Sequence, residues 1–302
     1  MTASGICVVG DALIDELRWP DSAEEHVGGA GLNVAVGLTR LGEEASLVAM
    51  VGQDRPGDEI REFLASFGVA VFASDALVSA RAVSDRTAGE PRYVFNEAAR
   101  NRRVSFDARQ RAALDSAALV VVSSFPLDDA GQTELLANAV HHARSRLVLD
   151  PNPREHLITD VDAFRAGFER LAAQSLLVKI GDDDARLLYG EPLALVARRL
   201  LDLGPSVVLA TEGAAGASML LASGPTAHRP IHPLAGPIVD TMGAGDATLA
   251  SVTATLMRDG HPESAEDAAR LLDKAMAIAA ATCRAPGGLL RLADAPLGPL
   301  KE

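Results

Sequence analysis

The chain has 302 residues, a formal net charge of −13, 48% hydrophobic residues and only 4% aromatic ones. That length suits one large domain, with a core that must be built from Ala, Val and Leu. The acidic balance argues against nucleic acid or an anionic membrane as the main partner, although backbone amides and a helix dipole can still hold a phosphate locally.

The opening, MTASGICVVGDALID, lacks a basic start, and its apolar run is too short for a secretion signal. No later segment approaches the roughly 18 uninterrupted apolar residues of a membrane span. Cys7 and Cys283 lie far apart in apolar contexts, as expected of reduced buried thiols and not of a disulfide framework. A soluble cytoplasmic protein is expected.

In chain order, ICVVG (6–10) reads as a strand, and the polar run DELRWPDSAEEHV (15–27) breaks away from it. GLNVAVGLTRLG (31–42) carries a helical apolar face, SLVAMVG (46–52) reads as a strand and DEIREFLASFG (58–68) as a helix. Residues 77–106 alternate weakly and look antiparallel. Strands at 119–125, 146–152, 175–181 and 206–213 then interleave with helices at 130–144, 162–174 and 193–204. The strands are continuous apolar runs, as in a parallel sheet buried on both faces. The alternation implies a doubly wound α/β fold over residues 1–302. Segments of about 15–27 and 77–106 are expected to form a small β-sheet lid over one edge. Ligands in such folds bind beyond the carboxyl ends of the strands.

Late in the chain, IVD (238–240) ends a strand-like run, TMGAGD turns, and ATLASVTATLMRDG forms a helix of small residues. Glycines at 243 and 245 permit positive φ and close approach. Successive amides at a helix start make an anion site able to stabilise charge during phosphoryl transfer. Asp246 beside them can accept the proton of an attacking hydroxyl. The plainer reading makes Asp246 an N-cap and the glycines a turn. No GK[ST] follows, so this is not a Walker A loop.

DTMGAGDA closely resembles the DTxGAGD signature of the ribokinase-like (PfkB) family of carbohydrate kinases. VGGAGLNVAVGLTRLGEEASLVAMVGQDRPGDEI (27–60) is similar to that family's other signature. The opening strand with Gly10-Asp11, VVLATEGAAGA (207–217) and AATCRAPGG (280–288) follow in family order. The resemblance covers nearly the whole chain. It implies a ribokinase-like fold, a doubly wound and mostly parallel sheet between helices with a β-sheet lid, and ATP-dependent phosphorylation of a sugar hydroxyl. Asp246 would be the general base, and the amides of Gly243, Ala244 and Gly245 the anion hole.

Asp11 emerges at the carboxyl end of a buried strand and can accept two sugar hydroxyls, or else cap a turn. Asp15 is either a sugar contact or a solvated lid residue. Gly28 and Gly29 allow close backbone approach, and Asn33 offers donor and acceptor, or a cap. The lid stretch supplies Tyr93, Phe95, Asn96, Arg100 and Arg102. There a ring can cover a sugar face and an arginine can reach a hydroxyl, or simply be solvated. DPNPREHL (150–157), with Arg154, resembles the DPNxRxxLW segment of fructokinases and 2-keto-3-deoxygluconate kinases. It lacks the Trp, and Gly31 stands where those enzymes often carry Pro. A ketohexose such as fructose is the expected acceptor. A 2-keto-3-deoxygluconate kinase, a ribokinase or a nucleoside kinase of the same fold are the alternatives, and a non-catalytic sugar- or nucleotide-sensing protein is the alternative from another class.

On the nucleotide side, the resemblance implies Lys179, Thr211, Gly213 and Gly216 beside ATP, with Met276 and Ala279 as apolar walls of an adenine pocket. A Met and Ala face is otherwise plain core. KIGDDDARLLYG (179–190) departs from the family's Lys/Asn-x-x-Glu segment. Asp184 stands for Glu and would organise Mg²⁺ through water, or the three acids would simply suit a helix N-terminus. Asp240 and 285–288 match the positions at which some members hold K⁺ through backbone. The expected partners are a small sugar and ATP, with no nucleic acid and no membrane. An exposed flap edge would give a homodimer an edge to pair on.

Overall fold

A computed structural model of the chain describes residues 4–85 and 92–292, apart from the side chains of 92, 93 and 143–145. The first half runs β1 (Ile6–Gly10), β2 (Leu13–Arg18), β3 (Ala23–Gly28), α1 (Ala30–Arg40), β4 (Ala45–Gly52), α2 (Arg55–Ser66), β5 (Ala70–Ala76), β6 (Arg81–Asp85), β7 (Arg92–Phe95), α3 (Glu97–Arg100), α4 (Ala108–Ser116), β8 (Leu119–Ser123), α5 (Ala130–Ala139) and β9 (Leu147–Asp150). The rest is α6 (Val161–Ala172), β10 (Leu177–Gly181), α7 (Asp182–Tyr189), α8 (Leu193–Leu203), β11 (Val207–Thr211), β12 (Ala217–Leu221), β13 (Thr226–Arg229), α9 (Ala244–Asp259) and α10 (Ala265–Thr282).

The large sheet has the order β13-β12-β11-β10-β9-β8-β1-β4-β5. It is parallel from β11 to β5, with β12 and β13 added antiparallel at one edge. Side chains alternate between two packed faces. One face joins Val8, Val121 and Val148 to α1, α9 and α10 through aliphatic residues such as Leu32, Leu249 and Leu272. The other face holds the fully buried Phe106, Phe125, Phe164 and Phe168. The scarce aromatics are thus concentrated opposite the site face, where small side chains let the helices sit close. Gly37 of α1 shows this, since a Cβ there would stand 3.0 Å from Ala250 Cβ of α9.

The small sheet has the order β3-β2-β6-β7. β2 pairs with β3 antiparallel, and β6 with β7, the latter within the stretch 77–106 expected to be antiparallel. The central pair β2–β6 is parallel. Those two strands are separated by β3, α1, β4, α2 and β5, a long crossover that brings the chain back in the same direction. From Glu97 the chain leaves this sheet in a short helix. Two other expectations need correction. The segment 238–240 belongs to no strand among the described residues, and Ile238 and Val239 are exposed. The helix expected over 130–144 ends at Ala139 and gives way to a 3₁₀ stretch, His141–Arg146. Among the described residues no helix is long and apolar enough to cross a membrane.

The chain leaves β1 for β4 on one side, while β8 lies on the other, so the winding reverses between β1 and β8. A crevice at the carboxyl ends of the strands follows from that reversal. Asp11 and Ser124, immediately after β1 and β8, meet there.

Candidate active site

A cleft of about 1290 Å³ runs along the carboxyl ends of the strands, under the small sheet and past the start of α9. This exceeds the space that one small ligand needs. Its walls bring together Asp11, Asp15, Gly29, Asn33 and Arg154 with Gly243, Ala244, Gly245 and Asp246. They continue through Lys179, Asp184, Thr211, Gly213 and Gly216 to Asp240, Met276 and Ala279.

Gly243 is the N-cap of α9, with φ 73°. A Cβ there would overlap the Gly288 carbonyl, so the turn and the tail segment 285–288 touch backbone to backbone. Asp240 holds that junction. Its carboxylate accepts the Met242 N–H at 2.9 Å and the Gly287 N–H at 3.1 Å. Asp246 lies within the first turn of α9 and is not the cap. Its Oδ2 accepts Asn33 Nδ2–H at 2.9 Å, tying α9 to α1. Burial lifts the Asp246 carboxyl to about 6; the Asn33 bond opposes the rise, Asp150 adds to it, and Arg154 and Lys179 oppose it. Such a carboxylate is a competent proton acceptor near neutral pH.

Asp11 accepts the Gly31 N–H at 3.1 Å and the Ser124 hydroxyl at 3.2 Å. A proline at 31 would remove that first bond. Ser124 has φ 55° and Asn152, on the cleft wall, φ 39°. Phe106, in the opposite core, has φ 48° as well, but Ser124 and Asn152 stand just past strands at the cleft end, where such strain often collects. Asp15, in mid-β2, is pushed up to about 7 by burial first and then by Asp11, with Arg154 opposing. Gly28 does not line the cleft. A Cβ there would overlap the Asp15 carboxylate, so this glycine makes room for Asp15.

The lid-side residues sort differently. Phe95 lines the cleft. Asn96 is a structural cap that accepts from Ala99 N and Arg81 N. Arg100 is exposed. Arg102 lies outside the main cleft, against a small cavity on the other side of Asp11, and donates to the Ala99 carbonyl at 3.1 Å. The Tyr93 side chain lies outside the described residues.

Asp150 was not among the residues singled out from the sequence. It ends β9, is fully buried, and receives Lys179 Nζ at 3.0 Å. The signal was available, since Asp150, like Asp11, directly follows a buried apolar strand. Its partner lies on another strand, and no local spacing reveals that. Asp184 caps α7 by accepting the Gly181 N–H at 2.7 Å. Asp182 and Asp183 also line the cleft, where they are exposed and pair with Arg186.

A mostly parallel sheet, a glycine turn at a helix start and a buried carboxylate beside it define a ribokinase-like phosphotransferase. Residues 5–293 match the pfkB family carbohydrate kinase description, and the chain belongs to that family. It is 30% identical over 308 residues to a fructokinase of Klebsiella pneumoniae, covering 95% of both chains. Its fold is similar to that of a fructokinase from Xylella fastidiosa with bound ATP, with a TM-score of 0.81 and 21% identity over 94% of this chain and 93% of that one. It is also similar to aminoimidazole riboside kinase from Salmonella enterica, complexed with aminoimidazole riboside and an ATP analog, with a TM-score of 0.78 and 25% identity over 96% and 97%.

Proposed function

We propose that the chain transfers the γ-phosphoryl group of ATP to a hydroxyl of a ketohexose, with fructose the first candidate. The observation that carries this reading is the pairing of Asp246, buried and raised to about 6, with the glycine turn at the start of α9. Asp246 takes the proton of the acceptor hydroxyl, while the amides of Gly243, Ala244 and Gly245 meet the charge that builds on the phosphoryl oxygens. Asp11, Asp15, Asn33 and Arg154 hold the acceptor. Thr211, Gly213 and Gly216, with Met276 and Ala279, border the nucleotide. Closure of the small sheet excludes water, which would compete as acceptor. The DPNPR segment and the Klebsiella relative favour a ketose.

Magnesium fits the chain as a water-bound ion. Among the described residues no group of three or more His, Cys, Asp or Glu is arranged to hold a metal. Asp184 lines the cleft with one carboxylate oxygen beyond its cap bond. This suits an ion held largely by phosphate and water, which neutralises charge on the transferring group. Potassium at the junction of 240 with 285–288 would meet carbonyls, because the Asp240 carboxylate already accepts two N–H groups.

The test is a coupled ADP-release assay with Mg-ATP, with and without K⁺, over fructose, tagatose, ribose, 2-keto-3-deoxygluconate, aminoimidazole riboside and adenosine. Preferred turnover of a ketose supports the proposal. Preference for a riboside would move the chain to the riboside kinases. Silence across the panel, from folded protein that binds ATP, would favour a sensor.

A further inference from the structure

One rung of the large sheet is polar just beneath the cleft, which Lys179 of that rung lines. Gly10 pairs with Ser123 and Ser123 with Asp150. Leu149 pairs with Val178, which sets Asp150 beside Lys179 at the next position. Two residues earlier on these strands stand Val8, Val121, Val148 and Leu177, all in the core beneath α1 and α9. The polar rung therefore points to that same face, toward Asp246.

Asp150 is 0% exposed and Lys179 is 6% exposed. One Asp150 oxygen takes the ammonium at 3.0 Å, while the other, and the Ser123 hydroxyl, have no partner among the described residues. An ion pair this deep is a weak source of stability, since an apolar pair of similar volume often does as well. Its position is more telling. A Cβ on Gly245 would stand 3.5 Å from Lys179 Nζ, so the ammonium lies against the glycine turn. Asp150, Asp184 and Asp246 all act to keep Lys179 protonated against its burial.

We infer that Asp150 is a positioning residue for phosphoryl transfer: it clamps the Lys179 ammonium against Gly245, where that charge supplements the turn amides. The inference rests on the phosphotransfer reading of the turn. Without the clamp, Lys179 is free to swing to Asp184 or Asp246, weakening the anion site and, at Asp246, tying up the proton acceptor.

The experiment compares Asp150→Asn, Lys179→Met and the double variant with the wild-type chain. Each single variant strands one buried partner and is expected to lower Tm. The double variant removes both charges and is expected to recover Tm. Its turnover number should nevertheless stay about 100-fold below wild type, with acceptor KM little changed. Recovery of both Tm and turnover would make the pair purely structural and overturn the inference. A second readout needs no acceptor. Calorimetric titration with MgATP and MgADP should show the preference for MgATP reduced about tenfold in the double variant, the size of one lost charged contact. An unchanged preference would overturn the inference. If the wild-type chain phosphorylates no acceptor, the phosphotransfer reading fails separately, and the nucleotide titration still decides the role of Lys179.

Discussion

At the scale of single residues, Asp246 and Asp15 are both carboxylates raised by burial, and they make different predictions. Asp246→Asn keeps the shape and the contact to Asn33 but removes the proposed proton acceptor. Turnover should fall by about 10²–10⁴-fold, with nucleotide affinity nearly intact. Normal turnover would remove Asp246 from the role of base. In the wild-type chain kcat/KM should climb with pH up to about 6 and then flatten, because only the ionised carboxylate accepts a proton. Asp15 acts on stability. Its carboxyl sits at about 7 in the fold against an ordinary 3.8, so the folded state binds the proton more tightly than the unfolded one. The stability it contributes is complete below pH 3.8 and is lost as pH rises through about 7. Asp15→Asn should therefore raise Tm at pH 8 and leave it unchanged near pH 3. A Tm difference independent of pH would show that Asp15 is not held in this strained state. Asp246, Asp11 and Asn33 were legible because each sits inside a contiguous motif. Asp150 opens the contiguous DPNPREHL run, yet its role was not legible there, because its partner Lys179 is 29 residues away on the neighbouring strand.

At the scale of elements, α1 and α9 set the site by packing closely. Ala247, Ala250 and Ala254 are buried along α9, and Gly37 of α1 meets Ala250. Ala250→Leu should force the helices apart, destabilise the chain by about 1–3 kcal/mol and slow turnover through the Asn33–Asp246 bond. A denaturation midpoint equal to wild type would refute this account of the packing. The start of α1 makes a second prediction. Gly31 donates to Asp11 at 3.1 Å, and a Cβ there would stand 2.7 Å from Gly10 Cα. Gly31→Pro removes the donor and crowds β1. Acceptor KM is expected to rise about tenfold, the size of one lost hydrogen bond to a charged group. An unaltered KM would mean that Asp11 is oriented by Ser124 alone. Most elements were legible from periodicity and apolar runs. The edge strands β5 and β13 were not, since their residues are only partly apolar or half exposed, and the short β12 beside β13 was missed with them.

At the scale of the molecule, one cleft holds the residues proposed for both ligands, with the small sheet on one side and the α9 start between them. If that sheet closes on the acceptor, each ligand should improve the site for the other. Fructose and a non-hydrolysable ATP analogue together should then raise Tm by more than the sum of their separate shifts. A simple sum would indicate two independent half-sites and no closure.

The sequence by itself determined the alternation of strands and helices, the family, and the carboxylate beside the glycine turn. Periodicity and contiguous motifs carry that information within a few residues of chain. Only the tertiary structure decided that Asp246 is no cap but a buried acid tied to Asn33, that Gly28 and Gly31 make room for Asp15 and Gly10, and that Arg102 lines a separate small cavity beside Asp11. It alone aligned Ser123, Asp150 and Lys179 on one rung. Those facts depend on register between strands and on the distance between helices, and neither is written in the spacing of residues along the chain.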